Sequence, residues 1–216
     1  MDATPQDLAL FDFDGTITST DTWTPFMRFA VSPRRLFVGR ALLAPVIVGY
    51  RLGAVSASRG RRIATRVAFQ GVPATTVREL GAEYAARVLP LTVRPSALER
   101  LEAHRSRGDD VVIVSAALDL YLGPWCESYR LDYICSTLEE RQGRLTGRYL
   151  GRDCVGTEKV RRILERYDLS RYRRVHAYGD SGDDREMLEL AQTKYYRWQE
   201  ISSWDEVTSS GHPDAP

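Results

Sequence analysis

Cysteine is scarce in this 216-residue chain, and Cys126, Cys135 and Cys154 stand far apart with no CxxC pair among them. That excludes a zinc knuckle or a disulfide framework and points to free thiols in a reducing cytoplasm. Net charge is nearly absent as well. With 30 basic residues against 29 acidic ones the balance is +1, so no global field recruits nucleic acid and none is expected as a partner. No apolar run reaches the ~18–20 uninterrupted residues of a membrane span. The most apolar stretch, Leu36 to Tyr50, is broken by Arg40 and contains Pro45. The start, Met1-Asp2-Ala3-Thr4-Pro5, has neither the basic residues nor the apolar region of a signal peptide. No internal repeat is found. The chain reads as soluble, long enough for one α/β core and a small appended domain.

What the chain does have is a pair of acids where an apolar strand stops. Leu8-Ala9-Leu10-Phe11 runs into Asp12-Phe13-Asp14-Gly15-Thr16. On a continuing strand, residues i and i+2 share a face. Here the glycine begins a turn, so both acids can project from the strand's carboxyl end. Two carboxylates that close repel each other unless a cation or a shared proton relieves them. A hard, oxygen-seeking ion such as Mg²⁺ is the natural partner. One acid can then attack a phosphorus atom while the other handles a proton. Asp and Gly after a strand are equally common as turn residues, so the pair alone does not decide.

The rest of the chain repeats the theme. Leu8–Phe13, Val111–Val114 and Arg174–Tyr178 read as strands, each ending in polar residues. Leu120–Tyr129, Lys159–Tyr167 and Arg94–Arg105 read as helices between them. Alternation of this kind predicts a parallel sheet with crossover helices, which binds ligands outside the carboxyl ends of its strands. From Thr20 to about Val88 the alternation breaks, and apolar residues such as Phe26, Leu42, Val67 and Tyr84 recur mostly at helical spacing. This predicts three or four helices inserted as a cap over the first strand. The expected fold is therefore α/β: a Rossmann-like three-layer core from residues 1–19 and 89–201, with an inserted helical cap over 20–88. Thr137 to Leu150 reads as a hairpin, and the tail 202–216 as disordered.

Four polar signals follow in order: Asp12-Phe13-Asp14-Gly15-Thr16, then Val112-Ile113-Val114-Ser115, then Gly156-Thr157-Glu158-Lys159, then Gly179-Asp180-Ser181-Gly182-Asp183-Asp184. This series resembles the haloacid dehalogenase superfamily of phosphohydrolases, in its phosphoserine-phosphatase-like branch, subfamily IB, with a helical type-one cap. The resemblance covers residue 6 to about 198. It implies a Mg²⁺-dependent phosphomonoester hydrolase working through an aspartyl-phosphate. Asp12 would be the nucleophile and Asp14 the acid and base. Asp12, the backbone carbonyl of Asp14, and Asp180 would hold Mg²⁺, with Asp184 on metal-bound water. Lys159 would supply positive charge, while Thr16, Ser115 and the amide of Ala116 would bind the phosphoryl group. Dehalogenase chemistry is excluded by Asp14, the second acid of the first motif.

The chain also departs from that branch. Ala116 and Ala117 stand where two glycines are usual, and alanine narrows the space. Asp183 replaces a frequent Asn. Asp21 falls where a longer Glu meets the substrate amine, and Arg59, Arg61 or Arg62 could bind a substrate carboxylate, with Arg62 the candidate carried forward. Two substrates stay open. One is a small phosphorylated metabolite such as phosphoserine. The other is a lipid phosphate head group, reached by peripheral membrane contact through the cap, because Leu36 to Tyr50 is flanked by Arg34, Arg35, Arg40 and Arg51. Asp21-Thr-Trp-Thr-Pro-Phe-Met-Arg-Phe, the apolar cap and Tyr195-Tyr196-Arg197-Trp198 are similar to bacterial phosphatidylglycerophosphate phosphatases. Against that, the same apolar stretch could be the core of the cap's own bundle. A catalytically silent scaffold binding phosphorylated ligands is a further class.

Overall fold

A computed structural model describes residues 6–209, so the leader and the end of the tail lie outside the described residues. Six strands form one sheet in the order β3 (Asp132–Ser136), β2 (Asp110–Leu118), β1 (Leu8–Phe11), β6 (Val175–Gly179), β7 (Thr193–Tyr196), β8 (Gln199–Ile201). All neighbours run parallel except β7 and β8. β1 is central, and each of its four residues is fully buried, as expected for a strand covered on both faces. Alternation divides them: Ala9 and Phe11 enter one apolar cluster, Leu8 and Leu10 the other. The first cluster is completed by α5 (Pro95–Ser106) and α6 (Asp119–Tyr129), the second by α7 (Thr157–Arg166) and α8 (Arg185–Leu190). This is the expected three-layer α/β core.

From β1 the chain crosses to β2 and β3 on one side, and β6 returns on the other. The crevice between the ends of β1 and β6 is therefore the switch point where sheets of this kind bind ligands. β2 extends beyond the expected Val114 to Leu118, with an irregularity after Ser115.

Four helices enter between β1 and α5: α1 (Trp23–Ala30), α2 (Pro33–Arg51), α3 (Ala57–Phe69) and α4 (Ala74–Arg87). Their centre is aromatic, with Phe26 against Phe69, Tyr84 and the core's Tyr121 at centroid distances of 6.1, 5.3 and 4.6 Å. Cap and core meet at two close approaches. A Cβ on Gly81 of α4 would lie 2.0 Å from the Leu120 carbonyl oxygen. The hairpin β4 (Leu138–Arg141) and β5 (Arg144–Tyr149) touches α3 just as closely, since a Cβ on Gly147 would lie 2.7 Å from the Arg66 Cα.

Two expectations need correction. The stretch Leu36–Tyr50 is not the core of the cap bundle: only Gly39 of α2 is fully buried, and most of its apolar side chains face out. Part of the expected disordered tail is helical, α9 (Trp204–Ser209), because Trp204 and Val207 are buried and Trp204 packs edge-on to Tyr196. Among the described residues no helix is long and apolar enough to cross a membrane. All three cysteines are free and buried.

Candidate active site

Asp12 begins where β1 ends, its N–H bound to the Tyr178 carbonyl at 2.9 Å. The next five residues, Phe13–Ile17, form a turn closed by the Thr18 N–H on the Phe13 carbonyl at 2.9 Å. Gly15 makes that turn feasible on two counts. Its φ is +80°, and a Cβ there would lie 2.1 Å from a carboxylate oxygen of Asp180. The turn thus brings the β1 end directly against the β6 end. Ser115 joins the same edge: Phe11 pairs with Ile113, so Ser115 lies two residues past that pair on the adjacent strand.

Lys159, in the first turn of α7, is the hub. It is 1% exposed and donates to Asp12 Oδ1 at 2.6 Å and to Asp184 Oδ1 at 2.5 Å. Carboxylate oxygens of Asp12, Asp180 and Asp184 all lie within 4.8 Å of one another. Three acids share one lysine, and the excess of negative charge shows in their titration. Burial, then the charge of Asp184, raises Asp12 well above the usual carboxylate range, with Lys159 pulling the other way. Burial and Asp184 lift Asp180 to about 6. Burial alone would weaken Lys159's hold on its proton, but Asp12 and Asp184 outweigh it and raise the ammonium above its ordinary value.

An all-oxygen, negatively overcharged cluster fits a hard divalent cation such as Mg²⁺. Asp12 and Asp180 are the acids available to hold it. Asp184 has its oxygens spent on Lys159, the Ser181 hydroxyl at 3.0 Å, and the backbone N–H groups of Asp180 and Ser181 at 3.2 and 3.1 Å. It shapes the cluster more than it offers a ligand. The Asp14 carboxylate stands outside the cluster. It turns toward the cap, accepting from the Thr22 N–H at 2.8 Å and the Thr22 hydroxyl at 2.5 Å. Burial raises it to about 6 against the lowering effect of those bonds.

Comparisons of sequence and fold with known proteins give the chain's family. A family model described as haloacid dehalogenase-like hydrolase matches residues 9–189. The chain belongs to the haloacid dehalogenase-like hydrolases. It is 31% identical over 194 residues to Protein CicA of Caulobacter vibrioides, covering 88% of this chain and 85% of that protein. Its fold is similar to that of a Bordetella pertussis Tohama I protein of unknown function, with a TM-score of 0.72, 20% identity and coverage of 89% and 90%. A substrate-bound phosphoserine phosphatase is also similar, with a TM-score of 0.60, 19% identity and coverage of 96% of this chain and 99% of that one.

In this haloacid dehalogenase-like hydrolase the remaining candidates divide. Thr16 is 2% exposed and its hydroxyl donates to Asp180 Oδ1 at 3.4 Å. Ser115 is buried, and its Oγ accepts the Ala117 N–H at 3.1 Å. Ala116, between Ser115 and Ala117 on β2, is half-buried. Asp21 does not stand free: its carboxylate accepts from the N–H groups of Trp23 and Thr24 at 3.3 and 3.0 Å, so it caps the start of α1. Arg62 is exposed and lines a cavity of about 370 Å³ with Ser58, Arg152, Asp153 and Thr157. Its neighbour Arg61 is the one turned inward, 5.5 Å over the Trp23 ring and close enough to Asp153, Asp14 and Asp21 to feel their charge.

Two functional neighbours had no motif. Thr22 clamps Asp14, and its own carbonyl is held by the buried Tyr84 hydroxyl at 3.0 Å. Asp153 is 6% exposed; the Ser136 hydroxyl donates to its Oδ1 at 2.6 Å, while Oδ2 has no hydrogen-bond partner among the described residues. It shares its cavity with Arg62 and Arg152, a grouping no local motif announces.

Proposed function

We propose that this chain is a cytoplasmic Mg²⁺-dependent phosphomonoester hydrolase acting through an aspartyl-phosphate on Asp12. The observation that carries the reading is the buried Lys159 clamp, which fixes Asp12 Oδ1 at 2.6 Å beside Asp180 and Asp184. With Lys159 on Oδ1, the other oxygen of Asp12 attacks phosphorus, and the bond from phosphorus to the ester oxygen breaks. Asp14, lifted to about 6 and aimed at the cap side, gives its proton to the departing alkoxide. It then takes a proton from the water that attacks the aspartyl-phosphate, releasing phosphate and restoring Asp12. Ser115 accepts a backbone N–H, so its own hydroxyl proton is free for a phosphoryl oxygen. The Thr16 hydroxyl is engaged by Asp180, which leaves its amide for the same task. Mg²⁺, held by Asp12 and Asp180, would neutralise phosphoryl charge that the acids otherwise repel.

The leaving group would lie under the cap, over Asp14. Arg61 among Asp14, Asp21 and Asp153 forms an acid-rich surround with one inward cation. That favours a small polar leaving group carrying both an amine and an anion, as in phosphoserine. A lipid phosphate head group is the second reading, favoured by the bare apolar side of α2. A silent scaffold would require damage at Asp12, Asp14, Lys159 or Asp180, and all four are intact.

Turnover of phosphoserine, phosphatidylglycerophosphate and p-nitrophenyl phosphate, with Mg²⁺ and with EDTA, tests the reading. Asp12→Asn should abolish turnover of each. Substantial activity in that variant, or activity indifferent to EDTA, sinks it.

A further inference from the structure

The near neutrality of the whole chain conceals an uneven division. Between Thr22 and Val77 the sequence holds nine arginines and not one aspartate or glutamate. The same segment carries the most exposed apolar helix of the molecule. One stripe of α2 packs inward, where Gly39 approaches Val67 and Val46 approaches Gly60 of α3. The opposite stripe is apolar too, and bare. Phe37, Ala41, Ala44 and Val48 recur at i, i+4, i+7 and i+11 and so share one outward face, with Leu52 just beyond the last turn. Phe37 is 79% exposed, Val48 54% and Leu52 78%. A surface helix usually buries its apolar stripe and shows polar residues outside, so a second, contiguous bare apolar patch marks an interaction site.

Charge decides what the cover is. Arg34, Arg40 and Arg51, all on α2 itself, make no ion pair among the described residues. A second copy of this chain would press that arginine belt against itself, with no acid on the face to relieve it. The cover must be anionic and must accept apolar side chains along a helix of 19 residues, about 28 Å long. A lipid bilayer with anionic head groups does both: Phe37, Val48 and Leu52 enter the acyl boundary, and the arginines extend to the phosphates. Arg40 and Pro45 within the helix suit lying in the interface, not crossing it. We propose that the outer face of α2, with the arginines around it, docks the cap onto an anionic lipid bilayer.

The proposal is independent of which phosphomonoester is cleaved, and its readout is independent of turnover. The probe is flotation of the full chain with phosphatidylcholine vesicles, with and without phosphatidylglycerol. Binding is expected only with phosphatidylglycerol and should weaken as salt rises. Phe37→Ser, Val48→Ser and Leu52→Ser together should lower vesicle partition at least about tenfold, while p-nitrophenyl phosphate turnover stays unchanged. Arg34→Gln or Arg51→Gln should each lower it about fivefold. No flotation with phosphatidylglycerol, or flotation that survives the triple substitution, overturns the proposal. So does a concentration-dependent dimer in light scattering that the triple substitution dissolves, which would assign the face to a second copy. If turnover fails while flotation holds, the phosphatase reading falls and the docking stands.

Discussion

Asp180→Asn removes one of the three carboxylates that share Lys159, and its effect on stability should run opposite to that of most substitutions at a buried site. Burial and the charge of Asp184 raise the Asp180 carboxyl from 3.8 to about 6. An acid whose folded value lies above its unfolded value penalises folding once it ionises. The penalty is absent below the unfolded value and complete above the folded one. A rise of about two units corresponds to about 3 kcal/mol at about 1.4 kcal/mol per unit. Asp180 is only partly buried, and solvent screening reduces this to about 1–2 kcal/mol. Asparagine keeps the shape and the oxygen that accepts from Thr16. In EDTA at neutral pH the variant should therefore melt higher than the parent, by about 2–8 °C for a chain of this size. The gain should fade as the pH falls and vanish below about pH 4. Mg²⁺ at a hundredfold excess over its dissociation constant should stabilise the parent by about 2.7 kcal/mol and the variant by much less. The two melting curves should thus exchange order when Mg²⁺ is added. A variant that melts lower in EDTA at neutral pH, or that gains as much from Mg²⁺ as the parent, refutes the account of the cluster as a cation site.

Three further outcomes follow from the site. Thr22→Val removes the hydroxyl donor to Asp14 while leaving the backbone one; a hydrogen bond to a charged group is worth about 1.5–3 kcal/mol, so the Asp14 carboxyl should rise by about one to two units. For an alkyl phosphate, whose leaving group needs the Asp14 proton, the alkaline limb of kcat/KM should move up by that amount, and an unmoved limb would remove Asp14 from the acid role. Arg61→Leu should raise KM for phosphoserine about tenfold or more with little change for p-nitrophenyl phosphate, as expected for a lost charge-assisted bond, whereas Arg62→Leu should leave both unchanged; equal effects from the two variants would count against Arg61. Gly15→Ala forces a side chain at φ +80° against Asp180, so Mg²⁺-dependent activity should be lost even if circular dichroism shows an intact fold; retained activity would mean the close contact with Asp180 is dispensable.

The core, and the gathering of Asp12, Asp180 and Asp184 at its edge, were legible because both are written in local patterns. An apolar run that ends in polar residues marks a strand end, and three such ends at one edge imply a shared crevice. Other positions take their surroundings from contacts that local patterns do not show. Asp21 and Arg62 are read from position and residue type alone. Asp21 has two backbone N–H groups within reach and spends its carboxylate on them. Arg61 and Arg62 are adjacent in sequence but about 100° apart around α3, so one faces Trp23 and the other solvent. Thr22 and Asp153 matter only through partners brought close by folding, Asp14 and the cap cavity. The tail looked polar, yet Trp204 has an aromatic partner eight residues back. A total charge of +1 gave no hint that the stretch from Thr22 to Val77 holds all its charge as arginine.

The two contacts at Gly81 and Gly147 bear on how such proteins can be recombined. Each brings the backbone of cap and core together with no room for a methyl group. A cap taken from a relative and grafted between β1 and α5 would therefore meet α6 and the β4–β5 hairpin in the wrong shape, even if its own helices folded. The unit that can be exchanged as one piece is the cap together with α6 and that hairpin. Chimeras cut at the two linkers alone should come out insoluble or inactive, and those that carry all three parts should not.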